Sequence, residues 1–162
     1  MLFRSILHGR DLKSERWFSV DKPIKNEAGI LKNATTYFRF IATQDNDNGR
    51  IVDRPRASLV LCRTQTGRWH QIRKHLSTHL SHPIIGDSVH GDSRMNREWK
   101  QKWGLPPERI CLHLLRLNVP PNPVTPTGIS VMDPLPPDLA HILLPPSDEE
   151  EEAGNCRLDR KS

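Results

Sequence analysis

The sequence predicts an α+β fold, and three observations carry that prediction. Short β-prone segments recur along the chain, with side chains that alternate or form brief apolar runs. One segment places Ile72, Leu76 and Leu80 at i, i+4 and i+8, the single apolar stripe of a helix. Eleven of the 14 prolines lie between Pro106 and Pro146, which favours loops and short edge strands there over long helices. The 162 residues suffice for one domain with a core, although only 35% are hydrophobic.

Tyr37 to Ile41 follows Thr35-Thr36 and reads as a strand, and Gln44 to Gly49, rich in Asp and Asn, reads as a turn. Ala57 to Arg63 is a second strand, with Leu59, Val60 and Leu61 as its buried run; Thr66-Gly67 ends it. The helix from His70 to Leu80 spans about three turns and stops near Pro83, which keeps His82 extended. Ile84-Ile85 is a short apolar piece closed by Gly86. Arg94 to Trp103 reads as a more exposed helix, ended by Gly104 and Pro106-Pro107. Ile110 to Val119 is the clearest strand, because Leu115, Leu117 and Val119 alternate with Arg116 and Asn118. Ile129 to Met132 is a further short strand. Residues 1–146 form the predicted domain, and 147–162 an acidic disordered tail built on Asp148 to Glu152.

Charge is divided between these parts. The formal net charge is +5, but the tail from Ser147 carries −3 and the body +8. Ten basic residues between Arg54 and Lys102 face only Asp87, Asp92 and Glu98. Such a body suits a polyanion, of which nucleic acid is the commonest. The bland alternative is a solvated basic face. No apolar run reaches the length of a membrane span, so no membrane partner is expected. Cys62, Cys111 and Cys156 are odd in number and form no CxxC pair, which excludes a disulfide framework and a zinc ribbon. A reducing intracellular compartment follows, cytoplasmic by default, with a short basic organelle presequence left open.

The densest chemistry lies in Thr66-Gly67-Arg68-Trp69-His70-Gln71-Ile72-Arg73. A glycine turn enters a helix whose first N–H groups and positive dipole end suit phosphate. Arg68 and Arg73 add forks that bind phosphate or carboxylate. Arg73 sits one position round from core-facing Ile72, at the edge of the buried face, and an arginine held there needs a carboxylate partner. An ordinary helix cap with surface salt bridges is the competing account. His75 and His79 stand four apart with His82 beyond, which is metal-ligand spacing, but no glutamate lies inside the pair. No GxSxG, GxxxxGK[ST] or GxGxxG motif is present. Cys62 lies in a core strand and reads as packing.

That segment, followed by His75-Leu76, then His82-Pro83-Ile84-Ile85-Gly86-Asp87 and His90-Gly91-Asp92, resembles the C-terminal motif of the RluA-type pseudouridine synthases, TGR-x-HQ[IL]R-x-HL…HPI-x-GD…[YH]G. His90-Gly91-Asp92 with Arg94, Asn96 and Arg97 resembles the branch that modifies transfer RNA. Leu112-His113 and Asp133 to Leu139 resemble the family's later strand and its proline-bounded end. The resemblance covers residues 1 to 140. It implies a mixed, mainly antiparallel sheet with flanking helices, and isomerisation of uridine to pseudouridine in RNA with no cofactor and no metal. In the family an aspartate in an HRLD-xx-TSG motif attacks the uridine, and the arginine closing HQ[IL]R pairs with it; Arg73 is the counterpart. Leu2 to Gly9 resembles the strand whose tyrosine packs on the target base, with Phe3 in that place. Arg68, His70, Gln71 and Lys74 are then expected to shape the pocket or touch RNA, from a tRNA or rRNA. No HRLD-xx-TSG stands in the 162 residues. Arg157-Leu158-Asp159-Arg160 matches only its core, and Asp159 reads as chance in the tail. Two alternatives remain: a non-catalytic RNA-binding remnant, and a metal-dependent hydrolase using His75, His79 and His82.

Overall fold

The structure, a computed structural model, describes residues 1–8, 16–43 and 55–143. Asp159, the 147–162 tail and the 44–49 turn lie outside the described residues.

The strands are β1 (Leu2–His8), β2 (Phe18–Asp21), β3 (Ile24–Lys25), β4 (Leu31–Lys32), β5 (Thr35–Thr43), β6 (Ala57–Thr64), β7 (Leu112–Val119) and β8 (Ile129–Met132). The helices are α1 (Gln71–Lys74), continued by a π-helical turn at His75–His79, α2 (Ser93–Lys102) and α3 (Pro137–Leu143). Six strands form one sheet in the order β2-β5-β6-β1-β7-β8, and every pairing in it is antiparallel. The β3–β4 hairpin stands apart from it.

Strand β1 lies inside the sheet, between β6 and β7, which explains why Ile6, Leu7 and Ser5 are all buried on a short strand. Ser5 Oγ donates to the Cys111 carbonyl at 3.0 Å, so its burial leaves no orphan hydroxyl. Phe38, Phe40, Val60 and Cys62 extend the same core, and Ile72 and Leu76 of the helix pack against it. The predicted apolar stripe is therefore the core-facing one. The helix itself is not three regular α turns: after Lys74 it widens, with Leu80 N–H bonded to the His75 carbonyl and His82 N–H to that of Leu76.

Two regions differ from the sequence expectation. Residues 17–34 carry β2 and the β3–β4 hairpin, where neither alternation nor an apolar run marked a strand. Residues 137–143, expected to be loop, form α3; Pro137 opens it and Asp138 sits in its first turn, both favourable there, while Leu139 and Ile142 enter the core.

Gly86 and Gly91 shape the connection to α2. At Gly86, φ is +81° and a Cβ would collide with the Arg109 carbonyl. At Gly91 a Cβ would collide with the Asp87 carbonyl. Between them Asn96 accepts from Gly86 N–H at 2.8 Å and donates to the Asp87 carbonyl at 2.9 Å. Among the described residues, no helix is long and apolar enough to cross a membrane.

Candidate active site

The loop between β6 and α1 closes over one end of the sheet and leaves a pocket of about 280 Å³. Met1, Phe3, Thr64, Thr66, Gly67, Arg68, His70, Gln71, Ile72, Arg73 and Leu112 line it. Phe3 and Arg73 thus meet in one cavity from 70 residues apart, Phe3 half-buried opposite Cys62 and Leu114.

Arg73 finds its carboxylate in Asp87. Nε donates to Oδ2 at 2.8 Å and Nη2 to Oδ1 at 2.6 Å, a bidentate fork on a carboxylate that is 1% exposed. Asp87 Oδ1 also accepts from the Val89 and His90 amides, both at 2.9 Å. Burial alone would raise the Asp87 pKa; the Arg73 fork and the two amides outweigh it, and the carboxyl lies below its ordinary range. The motif's Gly86-Asp87 and His90-Gly91 positions thereby acquire a joint purpose, which is to hold Arg73 rigidly at the pocket wall.

The third edge of Arg73 reaches His70, with Nη1 3.0 Å from Nε2. A guanidinium only donates, so His70 Nε2 accepts and its proton is on Nδ1. That Nδ1–H then donates to His90 Nε2 at 2.9 Å. Each ring accepts on Nε2 and is therefore neutral; burial lowers both pKa values, with Arg73 lowering and Asp87 raising them. Three of the five Arg73 N–H groups are used in these bonds, and the remaining two belong to Nη1 and Nη2. The side chain keeps 18% exposure, and it lines the cavity.

Gln71 shapes the pocket from behind. Its Oε1 accepts from Thr66 Oγ1 at 2.8 Å and from Arg68 N–H at 3.1 Å, while its Nε2 donates to the Thr35 carbonyl and to Thr36 Oγ1, both at 2.9 Å. The whole amide is thus spent on tying the loop to β5. The helix start is correspondingly not an open phosphate cradle: α1 is one turn long, His70 before it is left-handed at φ 53°, Arg68 N–H goes to Gln71, and Gln71 N–H goes to the Arg68 carbonyl. Arg68 and Lys74 hold the β3–β4 hairpin beside this loop, Arg68 Nε on the Asn33 carbonyl at 3.0 Å and Lys74 Nζ on the Lys25 carbonyl at 2.7 Å. Arg68 nevertheless remains an exposed residue.

The histidine cluster is a different object from a metal site. His75 Nε2 bonds the Lys22 carbonyl at 3.0 Å, so it carries the proton, and Nδ1 accepts from Thr36 Oγ1 at 2.9 Å. Burial lowers its pKa, and neither nitrogen is available for a metal without breaking that network. Among the described residues, no group of three or more His, Cys, Asp or Glu could hold a metal ion. Cys62 is buried, which pushes its thiol far above the ordinary range, in keeping with packing.

Asp87 and His90 were not among the residues singled out from the sequence for chemistry. Both stand in quoted motif positions, so the signal existed; only the fold shows that the two turns meet Arg73 and His70.

No family model matches the chain. The chain is 49% identical over 70 residues to tRNA pseudouridine synthase C of Yersinia pestis, covering 43% of this chain and 26% of that protein. It is 43% identical over 88 residues to tRNA pseudouridine synthase C of Salmonella typhi, covering 53% of this chain and 32% of that protein. These matches span about a third or less of the curated relatives. In fold, the chain superposes on human RNA Pseudouridylate Synthase Domain Containing 1 with a TM-score of 0.62 at 22% identity, covering 94% of this chain and 64% of that one. Human RNA Pseudouridylate Synthase Domain Containing 4 gives 0.60 at 19% identity, with 88% and 60% covered. The chain is thus similar in sequence to tRNA pseudouridine synthase C over part of its length, and it shares the fold of the human pseudouridylate synthase domains.

Proposed function

We propose that this chain is the RNA-binding, pocket-bearing part of a pseudouridine synthase that isomerises uridine to pseudouridine in tRNA or rRNA, with residues 1–146 as the working body. The observation that carries the reading is Arg73: fixed by Asp87 and His70, and with two N–H groups outside those bonds, it lines a pocket it shares with Phe3. The cavity, about 280 Å³, lies just below the usual volume range of small-molecule sites, so it suits one small group such as a single base. A uridine turned out of its stack enters it, the Phe3 ring packs on the base, and Arg73 meets and stabilises the carboxylate that attacks. That carboxylate is not Asp87, whose oxygens are already committed to Arg73 and two amides. It comes from the HRLD-xx-TSG motif that the 162 residues do not contain. Exposed Arg68 supplies phosphate contact, and the +8 body supplies long-range attraction to RNA. No cofactor or metal is assigned a role.

The test is a tRNA transcript carrying tritium at C5 of uridine, incubated with the purified 162-residue chain. Salt-dependent binding without tritium release is the expected result. Absence of salt-dependent RNA binding would overturn the reading. Release that disappears in Asp159→Ala would instead place the nucleophile in this chain's own tail.

A further inference from the structure

Trp69 lies between two pocket-lining residues, Arg68 and His70, and is itself not part of the pocket wall. The residue is 53% exposed. One face of the ring is stacked on the His70 imidazole, with centroids 4.1 Å apart and planes 21° from parallel. His70 is in turn pinned by Arg73 on one nitrogen and by His90 on the other. The Trp69 ring is therefore held against the His70 imidazole, next in sequence to two residues that line the pocket, with about half of the residue left in water.

We propose that Trp69 is a stacking platform for a second base, the one next to the uridine that enters the pocket. The inference rests on the RNA reading above and adds to it a residue that selects how the flanking strand is held. A base extruded into the cavity leaves its neighbour without a stacking partner on that side. An indole fixed in orientation before binding replaces that partner with little loss of side-chain freedom. Every base has a π-face, so the contact is tolerant of sequence. Arg68, exposed and one residue away, is available to the phosphate between the two nucleotides. At the platform's back His70 Nε2 accepts from the Arg73 guanidinium, so the stack is ring on ring rather than cation on ring.

The test pairs protein and RNA variants in a cycle. The RNA is a short single strand with one central uridine, intact or made abasic at each flanking position in turn. Trp69→Ala should bind the intact RNA roughly 5- to 150-fold more weakly than the native chain, and Trp69→Phe should lose far less. On the RNA abasic at the stacked position, native chain and Trp69→Ala should bind alike. Equal binding of intact RNA by both, or a penalty that persists on both abasic RNAs, overturns the proposal while leaving the broader reading standing. Failure of the native chain to bind any of these RNAs overturns both. A second readout covers the case in which Trp69→Ala folds poorly. The emission lost between native chain and Trp69→Phe belongs to Trp69; intact RNA should quench it and the matching abasic RNA should not. Quenching that ignores the abasic site refutes the platform.

Discussion

Replacing Asp87 by asparagine is the sharpest probe of how the pocket is built. The substitution keeps shape and one acceptor, so the Val89 and His90 amides keep a partner. What changes is opposite the guanidinium: a carboxylate that accepts at 2.6 and 2.8 Å becomes a neutral amide with N–H facing N–H on one side. Removing one member of a buried ion pair costs about 3–5 kcal/mol, because the other charge is left buried and unpaired. Arg73 is 18% exposed and partly rehydrated, which puts the expectation at the low end, about 3 kcal/mol. For a domain of this size that is a Tm lower by roughly 6–12 °C. Urea unfolding followed by circular dichroism measures it directly. The double variant Arg73→Met, Asp87→Asn removes both charges while keeping an acceptor for the two amides, and should be less destabilised than Asp87→Asn alone. If Asp87→Asn stays within about 0.5 kcal/mol of the native chain, as an ordinary surface substitution does, Arg73 is not held as described.

Stability should also fall with acid in a defined window. His70, His75 and His90 all have pKa values below the ordinary histidine value, so the folded chain refuses protons that the unfolded chain accepts. Their contribution is complete above about pH 6.5 and is lost as pH falls from there through the lowered folded values. The Asp87 contribution persists to lower pH, being full above 3.8 and lost as pH falls through the depressed folded value. A urea midpoint that does not change between about pH 8 and about pH 5 would contradict the neutral histidines. Gly86→Ala should cost about 3 kcal/mol, since it imposes a positive φ on a side chain and drives a Cβ into the Arg109 carbonyl. An unchanged unfolding curve would show that the backbone of residues 84–86 does not approach residues 109–111 so closely.

How much of this was legible beforehand depended on the range of the interaction concerned. Strands β5 to β8 were readable to within a few residues, because each carries its own alternation or apolar run. The β3–β4 hairpin has no such pattern; its strands are two residues long and held by Arg68 and Lys74 from another part of the chain. The helix of residues 71–79 was legible as an apolar stripe, yet its π-helical second half was not. His75 sits there in a buried network with Thr36, 39 residues away.

By itself the sequence determined the ingredients: an α+β chain with a basic body, a motif with two arginines and a histidine in six positions, and an arginine at a buried edge that had to have a carboxylate. These follow from periodicity, charge and local spacing, which are properties of neighbours in the chain. Tertiary structure alone decided the pairings. It made Asp87 the partner of Arg73, brought Phe3 to the same cavity, turned Gln71 inward to hold β5, and left Trp69 exposed on the His70 ring. Each of these joins residues that are remote in sequence or depends on which face of a turn meets the sheet. Side-chain identity states what a group needs; only the packed chain says which group satisfies it.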